Sequence, residues 1–265
     1  MTIKADELDQ LLGFAMRLAS EAGEITLRYF RRLVDSTVER KRDGSFVTTA
    51  DREAEAHLRR ALQAEFPDDA ILGEEEGEQA GRSGRRWIID PIDGTFSFVH
   101  GVPFYGVLIG LEAGGEPQLG VVNIPALGEM AAAAHKRGCF WSQGAARVST
   151  VDQLKEALLL ATDFGACRQR GHQQLIDELE KCVSQRRTWG DCYGHLLVAT
   201  GRAEIMLDPV MNIWDCAALL PIVEEAGGTF TDWAGNRTIA GGNAMSTNRS
   251  LFDPTMSLIN KYAKQ

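Results

Sequence analysis

The centre of the sequence reads Trp87-Ile88-Ile89-Asp90-Pro91-Ile92-Asp93-Gly94-Thr95. Its first three residues are apolar and predict a buried strand, so Asp90 stands where the chain emerges from a sheet. Pro91 has a fixed φ and no N–H, and it directs the chain away from the sheet. Asp93 can turn back to the side of Asp90, and Gly94 permits a positive φ that lets a ligand approach the backbone. If a helical turn begins after Gly94, its free N–H groups point at one spot, where a phosphate can bind.

Acidic residues also follow a short apolar run at Gly73-Glu74-Glu75 and stand at the start of a predicted helix at Trp214-Asp215. Carboxylate and carbonyl oxygens are the ligands that Mg²⁺ prefers in proteins. Burying unpaired carboxylates is costly, and a bound cation removes that cost. The motif D-x-x-D-G alone is more often a surface turn. Its combination with the two other acidic segments predicts a site for a divalent cation and a phosphate.

The composition is that of an ordinary globular protein. The chain has 265 residues, 44% of them hydrophobic and 25% charged, which suffices for one large domain or two modest ones and argues against disorder. The net charge of −9 argues against a binder of nucleic acid or of anionic membranes. The five cysteines form no C-x-x-C pair, so we expect reduced thiols and a cytoplasmic location. No apolar run of about 18 residues occurs, so no transmembrane helix is expected.

The character of the sequence changes near residue 150. Before it, helical patterns are followed by successive strands without long helices, which predicts an α+β half (1–150) with an antiparallel or mixed sheet. After it, strands and helices alternate, which predicts an α/β half (151–265). The more local predictions are a helix over 8–32, a mobile loop over 77–84, a strand at 188–189 and a helix over 215–226 that is kinked at Pro221.

Three motifs, in this order, resemble the inositol monophosphatase-like superfamily of Mg²⁺-dependent, lithium-sensitive phosphatases. They are Gly73-Glu74-Glu75, 87–95 and 214–228, with Asp51 after Thr48-Thr49-Ala50 as a weaker fourth element, so the resemblance covers nearly the whole chain. Within the superfamily, Ser97 and the segments 187–204, 208–215 and 230–233 are similar to bacterial histidinol-phosphate phosphatases. Phe96 departs from that branch, which often has a lysine at this position.

The resemblance implies a layered αβαβα sandwich, with the active site in the cleft between the two halves, and a homodimer. It also implies two or three Mg²⁺ ions in each active site, and two-metal sites of this kind hold their ions about 3.5–4 Å apart. The implied ligands of the first ion are Glu74, Asp90 and the carbonyl oxygen of Ile92. Those of the second ion are Asp90, Asp93 and Asp215.

The same resemblance implies hydrolysis without a covalent phosphoenzyme. Glu74, Thr95 and Asp51 are the implied catalytic residues that orient and deprotonate the attacking water. The residues expected to contact the substrate are Glu74, Ile92, Asp93, Gly94, Thr95, Arg187, Asp191, Asn212 and Asp215. Among them, Arg187 can bind phosphate, and Asp191 and Asn212 are candidates for the ammonium and imidazole groups of histidinol. The alternatives for these three are a solvated surface arginine and two helix-capping residues.

The function favoured by the sequence is Mg²⁺-dependent hydrolysis of a small phosphomonoester, L-histidinol phosphate, in histidine biosynthesis. The alternative is another phosphatase of the same superfamily, acting on inositol 1-phosphate, fructose 1,6-bisphosphate or a 3′-phosphonucleotide. A more remote alternative is a non-catalytic binding protein on this scaffold, although every expected metal ligand is present. His100 and His195 are interpreted as structural, because Mg²⁺ prefers oxygen ligands. Lys41 either reaches the metal site or lies at a strand edge.

Overall fold

The computed structural model describes residues 3–32, 38–41, 44 and 46–263. Its helices are α1 (Ala5–Tyr29), α2 (Thr49–Glu65), α3 (Thr95–Val99), α4 (Phe164–Cys167), α5 (Gln173–Cys182), α6 (Asp191–Ala199), α7 (Ile213–Ala217), α8 (Leu219–Glu225) and α9 (Phe252–Tyr262). Its strands are β1 (Val38–Arg40), β2 (Phe46–Thr48), β3 (Ala70–Gly73), β4 (Gly77–Gln79), β5 (Arg85–Asp93), β6 (Gly106–Ala113), β7 (Glu116–Ile124), β8 (Glu129–Ala134), β9 (Gly138–Trp141), β10 (Gly144–Ala145), β11 (Leu158–Ala161), β12 (Gln185–Arg187), β13 (Ile205–Asp208), β14 (Thr229–Thr231) and β15 (Ala244–Thr247).

The larger sheet has eight strands in the order β10-β9-β8-β7-β6-β5-β3-β4. β3 and β5 run parallel, whereas the other neighbours pair antiparallel, so the predicted mixed sheet is confirmed. The prediction of a loop over 77–84 is wrong at its start, because Gly77–Gln79 forms the edge strand β4. This strand is short and polar, so no apolar alternation marks it in the sequence.

The smaller sheet has five strands in the order β12-β11-β13-β15-β14. β12, β11 and β13 run parallel, and the remaining pairs are antiparallel. The strand predicted at Thr188–Trp189 is wrong, because the edge strand β12 ends before it, at Arg187. All three residues of β12 are exposed, so hydrophobicity does not locate this strand.

Helices cover both sheets and also separate them. α1 and α2 pack on one face of the larger sheet, in an apolar cluster that includes Leu18 and Trp87. α6 and α8 lie between the two sheets, where Leu196 and Phe230 belong to a second cluster. α5 and α9 pack with the smaller sheet in a third cluster, which includes Met256. The order of layers is helix, sheet, helix, sheet, helix, which confirms the predicted αβαβα sandwich.

The junction between α7 and α8 lies directly against the larger sheet, and two glycines make this possible. A Cβ atom at Gly110 of β6 would lie 2.8 Å from Ala217, and one at Gly120 of β7 would lie 2.1 Å from the carbonyl oxygen of Ala218. Any side chain at either position would push the helices off the sheet. The helix predicted over 215–226 is present as two helices that meet at Ala218, but the predicted position of the kink is wrong, because Pro221 lies inside α8. Because α7 carries Asp215 and contacts β5, this packing brings that residue to the centre of the sheet.

A third sheet is the antiparallel pair β1-β2. The eight-stranded and five-stranded sheets fall on either side of residue 150, and the division of the chain there stays a prediction. The five cysteines all have free thiols. Within the described ranges, no helix combines the length and the apolar character needed to cross a membrane.

Candidate active site

The end of β5 carries the first two acidic residues. Asp90 is buried, and its Oδ1 atom accepts the N–H of Ile92 at 2.9 Å. The pairing of β5 with β6 shifts register between Asp90 and Asp93, an irregularity that redirects side chains at the end of a strand. Gly94 has a φ of +82° and is followed by α3, as the sequence predicted. The first turn of a helix leaves N–H groups without intrahelical partners, so this turn can bind an anion.

Asp215 reaches the same place from the other half of the chain. Asn212 caps α7, and its backbone N–H and Nδ2 donate to Asp215 Oδ2 at 2.6 and 3.4 Å. One oxygen atom from each of Asp90, Asp93 and Asp215 lies within 4.8 Å of the other two. The structure therefore brings together three of the predicted metal ligands.

Glu74 follows β3, the parallel neighbour of β5, and is engaged by a lysine. Nζ of Lys41 donates to Glu74 Oε1 at 2.7 Å and to Glu75 Oε1 at 2.6 Å. Partial burial opposes the charge of Lys41, but these two bonds outweigh it and raise the pKa of the ammonium group. Lys41 thus reaches the site. Glu74 stands outside the compact set of three, yet its charge is the largest cause after burial of the raised pKa of Asp90.

The turn that carries Glu74 rests on a buried ion pair that the sequence analysis missed. Glu55 of α2 is fully buried and accepts the N–H groups of the two residues after Glu74, at 2.8 and 3.0 Å. Arg59 donates from Nε to Glu55 Oε1 at 2.8 Å. The available signal was the i,i+4 spacing of these two charges on the apolar face of the helix.

Asp51, in the first turn of α2, is fully buried. Its Oδ2 atom accepts the N–H and the hydroxyl of Thr48 at 2.8 and 2.6 Å, a reciprocal cap of the helix. Its Oδ1 atom is buried without a hydrogen-bond partner in the described part of the chain. Burial, with smaller effects of Glu75 and Glu74, raises the pKa of Asp51 to about 7 against the opposing bonds from Thr48. A buried oxygen of this kind is a position for a proton, a water molecule or a cation.

Asp90, Asp93, Asp191 and Asp215 share one electrostatic property, which is that no basic side chain among the described residues balances their negative charge. Burial, followed by the charges of Glu74, Asp93 and Asp215, raises the pKa of Asp90 well above its ordinary value. Burial, followed by Asp191 and Asp215, does the same for the pKa of Asp93. Burial also raises the pKa values of Asp191 and Asp215 to about 7. Among the described residues, none of these four aspartates forms an ion pair with a lysine or an arginine. Such a set of oxygen donors fits a hard divalent cation, which would supply the balancing charge.

Asp191 begins α6 with a φ of +52°, a left-handed conformation that few side chains adopt. Its backbone N–H donates to Thr162 Oγ1 at 2.8 Å. Its carboxylate lies against the turn at Gly94, since a Cβ atom at Gly94 would be 3.0 Å from Asp191 Oδ2. The N–H of Cys192, the next residue of α6, donates to Asp93 Oδ2 at 2.5 Å. The predicted substrate residue Asp191 is thereby joined to the acidic cluster.

Arg187 and Asn212, which were also predicted to contact the substrate, are placed differently from Asp191. Arg187 is exposed on β12, where its guanidinium donates to Gln185 Oε1 at 3.3 Å and to the carbonyl oxygen of Arg186 at 2.7 Å. Within the described ranges it makes no hydrogen bond or ion pair with the acidic cluster. Asn212 has the capping role that was its alternative interpretation. Substrate contact by Arg187 or Asn212 therefore stays a prediction.

A buried polar network that the sequence analysis also missed lies next to Asp191. Asp208, at the end of β13, accepts the N–H of Thr162 at 3.2 Å and lies 3.3 Å from His195 Nε2. Nδ1 of His195 lies 2.6 Å from Ser246 Oγ, so this histidine is structural, as interpreted. The signal for Asp208 was present, because it ends an apolar strand and precedes a proline, as Asp90 does.

A cavity of about 270 Å³ opens onto these acidic residues. Its walls include five aspartates, which are Asp93, Asp163, Asp191, Asp208 and Asp215. In the part of the chain that the structure describes, Arg170 is the one basic residue that lines it. The acidic cluster and the predicted substrate residue Asp191 thus share one small, strongly acidic space beside the turn at Gly94.

Comparison with known proteins agrees with this site and this fold. Residues 7–264 match the model of the inositol monophosphatase family. The chain is 46% identical to a histidinol-phosphatase of Chlorobaculum parvum over 91% of this chain and 93% of that protein. It is 39% identical to a histidinol-phosphatase of Mycobacterium tuberculosis over 94% of this chain and 97% of that protein. It also superposes on the solved structure of a Thermotoga maritima IMPase with a TM-score of 0.85 and 31% identity, over 96% of this chain and 98% of that one. Because the family model spans nearly the whole chain, the chain belongs to the inositol monophosphatase family and is a phosphatase of that family.

Proposed function

We propose that this chain is a Mg²⁺-dependent phosphomonoesterase that hydrolyses L-histidinol phosphate to L-histidinol and inorganic phosphate. The observation that carries the proposal is the convergence of Asp90, Asp93 and Asp215 within 4.8 Å of one another, with Asp191 against the anion-binding turn at Gly94. The two histidinol-phosphatases that are 46% and 39% identical to this chain support the choice of substrate.

The acidic residues are the groups that would hold Mg²⁺, with two or three ions in each site. Asp90, Asp93 and Asp215 would bind through carboxylate oxygens, together with Glu74 and the carbonyl oxygen of Ile92. When bound, Mg²⁺ supplies Lewis-acid activation of water and neutralises charge on the phosphate.

The chain's own residues orient the water and accept its proton. The hydroxyl of Thr95 donates to the carbonyl oxygen of Ile92 at 3.0 Å, so its own oxygen is left to accept a hydrogen from water. Oδ1 of Asp51 is buried and has no donor among the described residues, which leaves it able to take up a proton. The N–H groups of Gly94 and Thr95 would bind the phosphate. Water supplies the new oxygen on phosphorus, and the departing alkoxide takes up a proton, so no side chain becomes bonded to phosphorus.

The charges around the site favour a cationic alcohol as the leaving group. The five aspartates of the cavity face one arginine among the described residues, and Asp191, whose carboxylate lies beside Gly94, would pair with the ammonium of histidinol. Neutral inositol gains no ion pair there. The second phosphate of fructose 1,6-bisphosphate or of a 3′-phosphonucleotide would be repelled.

A panel of phosphomonoesters tests this proposal. The purified protein is given Mg²⁺ with L-histidinol phosphate, inositol 1-phosphate, fructose 1,6-bisphosphate or adenosine 3′,5′-bisphosphate, and phosphate release is measured. We expect the highest kcat/KM for L-histidinol phosphate and loss of activity with EDTA. A higher kcat/KM for inositol 1-phosphate would favour the second candidate function, inositol monophosphatase, which the similarity to the Thermotoga maritima IMPase supports. Undiminished turnover after exhaustive chelation would contradict the metal assignment.

We also propose that the enzyme is a cytoplasmic homodimer, in which residues 1–150 supply most metal ligands and residues 151–265 supply the substrate contacts. The five free thiols support a reducing compartment. Light scattering of the purified protein tests the dimer, and a monomeric mass at micromolar concentration would contradict it.

A further inference from the structure

A second cavity opens beside Asp191. Its volume is about 560 Å³, and its walls include Phe96, His100, Val102, Phe104 and Asp191. Thr162, Asp163 and Asp191 line both this cavity and the smaller aspartate-rich cavity, so the two spaces adjoin. Among the residues described by the structure, no lysine or arginine lines this second cavity. It is therefore an aromatic pocket with an acidic end, next to the proposed site of phosphate release.

Phe96 is held in a fixed position but remains open to the solvent. Phe96 directly follows Thr95 in the sequence, and it is 66% exposed. His100 stacks on it with the ring centroids 4.2 Å apart and an interplanar angle of 25°, and His100 Nδ1 lies 2.7 Å from the carbonyl oxygen of Phe96. Phe46 of β2 contacts the same ring, with the centroids 6.0 Å apart. These contacts orient the Phe96 ring, while its exposure leaves ring surface free for another group.

A second aromatic wall of the pocket is fixed in the same way. Phe104 stacks on Tyr193 of α6, with the ring centroids 4.9 Å apart and an interplanar angle of 5°. Aromatic ring surface that lines a pocket can stack with a flat, apolar group of a ligand. The pocket thus offers ring surfaces close to a carboxylate that has no cationic partner among the described side chains.

We propose that Phe96 binds the imidazole ring of the substrate and makes the enzyme specific for an aromatic amino alcohol. This inference rests on the proposed function. In L-histidinol phosphate, the ammonium lies on the carbon next to the ester methylene, and one further methylene joins that carbon to the ring. An ammonium paired with Asp191 therefore places the ring at the aromatic walls of the same cavity. Imidazole, with an ordinary pKa of about 6.5, is mostly neutral at pH 8, so stacking there does not depend on its charge.

Two variants and two substrates test the role of Phe96. Phe96→Leu removes the ring but keeps an apolar side chain, whereas Phe96→Tyr keeps the ring. L-Alaninol phosphate is the matched substrate, because it is the same amino alcohol phosphate without a ring. We expect Phe96→Leu to lower kcat/KM for L-histidinol phosphate about 3- to 10-fold, mainly through KM, and to change that for L-alaninol phosphate less than about 2-fold. Phe96→Tyr should stay within about 2-fold of wild type on both substrates.

Phe140→Leu is the matched control variant, since Phe140 is 54% exposed on β9 and does not line this cavity. Phe140→Leu should change kcat/KM neither for L-histidinol phosphate nor for L-alaninol phosphate. Equal losses on both substrates in Phe96→Leu, or a comparable loss in Phe96→Tyr, would overturn the role of Phe96 while leaving the proposed function intact. A wild-type enzyme that prefers inositol 1-phosphate to L-histidinol phosphate would overturn the proposed function, and the role of Phe96 with it.

Discussion

Replacement of Asp90 by asparagine should make the metal-free protein more stable and at the same time abolish its activity. Asp90 is buried at the end of β5, and its charge is opposed by those of Asp93 and Asp215. Asparagine keeps the shape of the side chain and can still accept the N–H of Ile92 through its amide oxygen. It removes one negative charge from a cluster that needs a bound cation for balance. Without that charge, the variant should not support Mg²⁺-dependent hydrolysis.

The size of the stability change follows from the geometry. Two unit charges 4.8 Å apart repel each other by about 3.5 kcal/mol at an effective dielectric constant of about 20. Asp90 has two such neighbours, but uptake of protons limits the repulsion, because burial and the surrounding charges raise the pKa of Asp90. We therefore expect the free energy of unfolding of Asp90→Asn to exceed that of wild type by about 2 kcal/mol at pH 8 in EDTA.

The higher free energy of unfolding expected of Asp90→Asn should disappear at low pH. Burial raises the pKa values of Asp51, Asp191 and Asp215 from 3.8 to about 7 in the folded protein. Between about pH 4 and 7 the folded protein therefore binds more protons than the unfolded chain, and its stability falls as the pH rises through that window. Burial and the neighbouring charges also raise the pKa of Asp90, so a fall in pH protonates its carboxyl and removes the charge that asparagine lacks at every pH. Wild type and variant should then have nearly equal free energies of unfolding.

Urea unfolding at pH 5 and pH 8, with EDTA or with Mg²⁺, measures these effects. At pH 8, Mg²⁺ at about 100 times its Kd should stabilise the wild type by about 2.7 kcal/mol and the variant much less. Asp69→Asn is the matched control, because Asp69 is also buried but accepts hydrogen bonds from Arg85 Nε and Trp87 Nε1, both at 3.0 Å. Loss of that ion pair should destabilise the protein by roughly 3 kcal/mol with or without Mg²⁺. The reasoning is refuted if Asp90→Asn is less stable than wild type at pH 8 in EDTA, or if Mg²⁺ stabilises both proteins alike.

Three further predictions concern single residues of the site. Asp51→Asn should lower kcat about 100-fold or more with little change in KM, because it removes the proposed proton acceptor, and an unchanged kcat in phosphate-release assays would contradict that role. Lys41→Met should lower the Mg²⁺ concentration needed for half-maximal activity, because the variant has no lysine to compete with the cation for Glu74. A higher Mg²⁺ concentration at half-maximal activity would show that Lys41 assists binding of the cation instead. Asp191→Asn should lower kcat/KM for L-histidinol phosphate at least about 10-fold, whereas Arg187→Ala should change it less than about 2-fold, and equal effects would contradict the placement of the two residues.

The acidic end of β5 could be predicted because its signals are local. β5 is a central strand whose residues from Trp87 to Ile92 are buried, so the sequence shows an apolar run that ends at an acid. The positive φ of Gly94 could be expected from the residue type, because glycine adopts such a φ without steric cost. No local feature of the sequence shows that Asp215 lies close to this turn. That proximity was predicted from the order of motifs shared with a known family.

The polar supports of the site could not be predicted for a physical reason. Lys41 and Glu74 are 33 residues apart, and His195 and Ser246 are 51 apart, so each pair is brought together only by the finished fold. Ser246 meets His195 because β15 pairs with β13, and register of that kind is set by packing across the whole sheet. The edge strands β4 and β12 are short and polar, and periodicity carries no information about them.

The buried acids of this fold differ in the partners that they are given. Asp69 is paired with Arg85 and Glu55 with Arg59, so the fold supplies a guanidinium group to each of these two buried carboxylates. Asp90 of β5 receives only a backbone N–H among the described donors. An arginine fixed beside it would hold the carboxylate permanently and exclude an exchangeable cation. The unbalanced charge is therefore a requirement of metal binding, and the lower stability expected of the metal-free protein at pH 8 is its direct consequence.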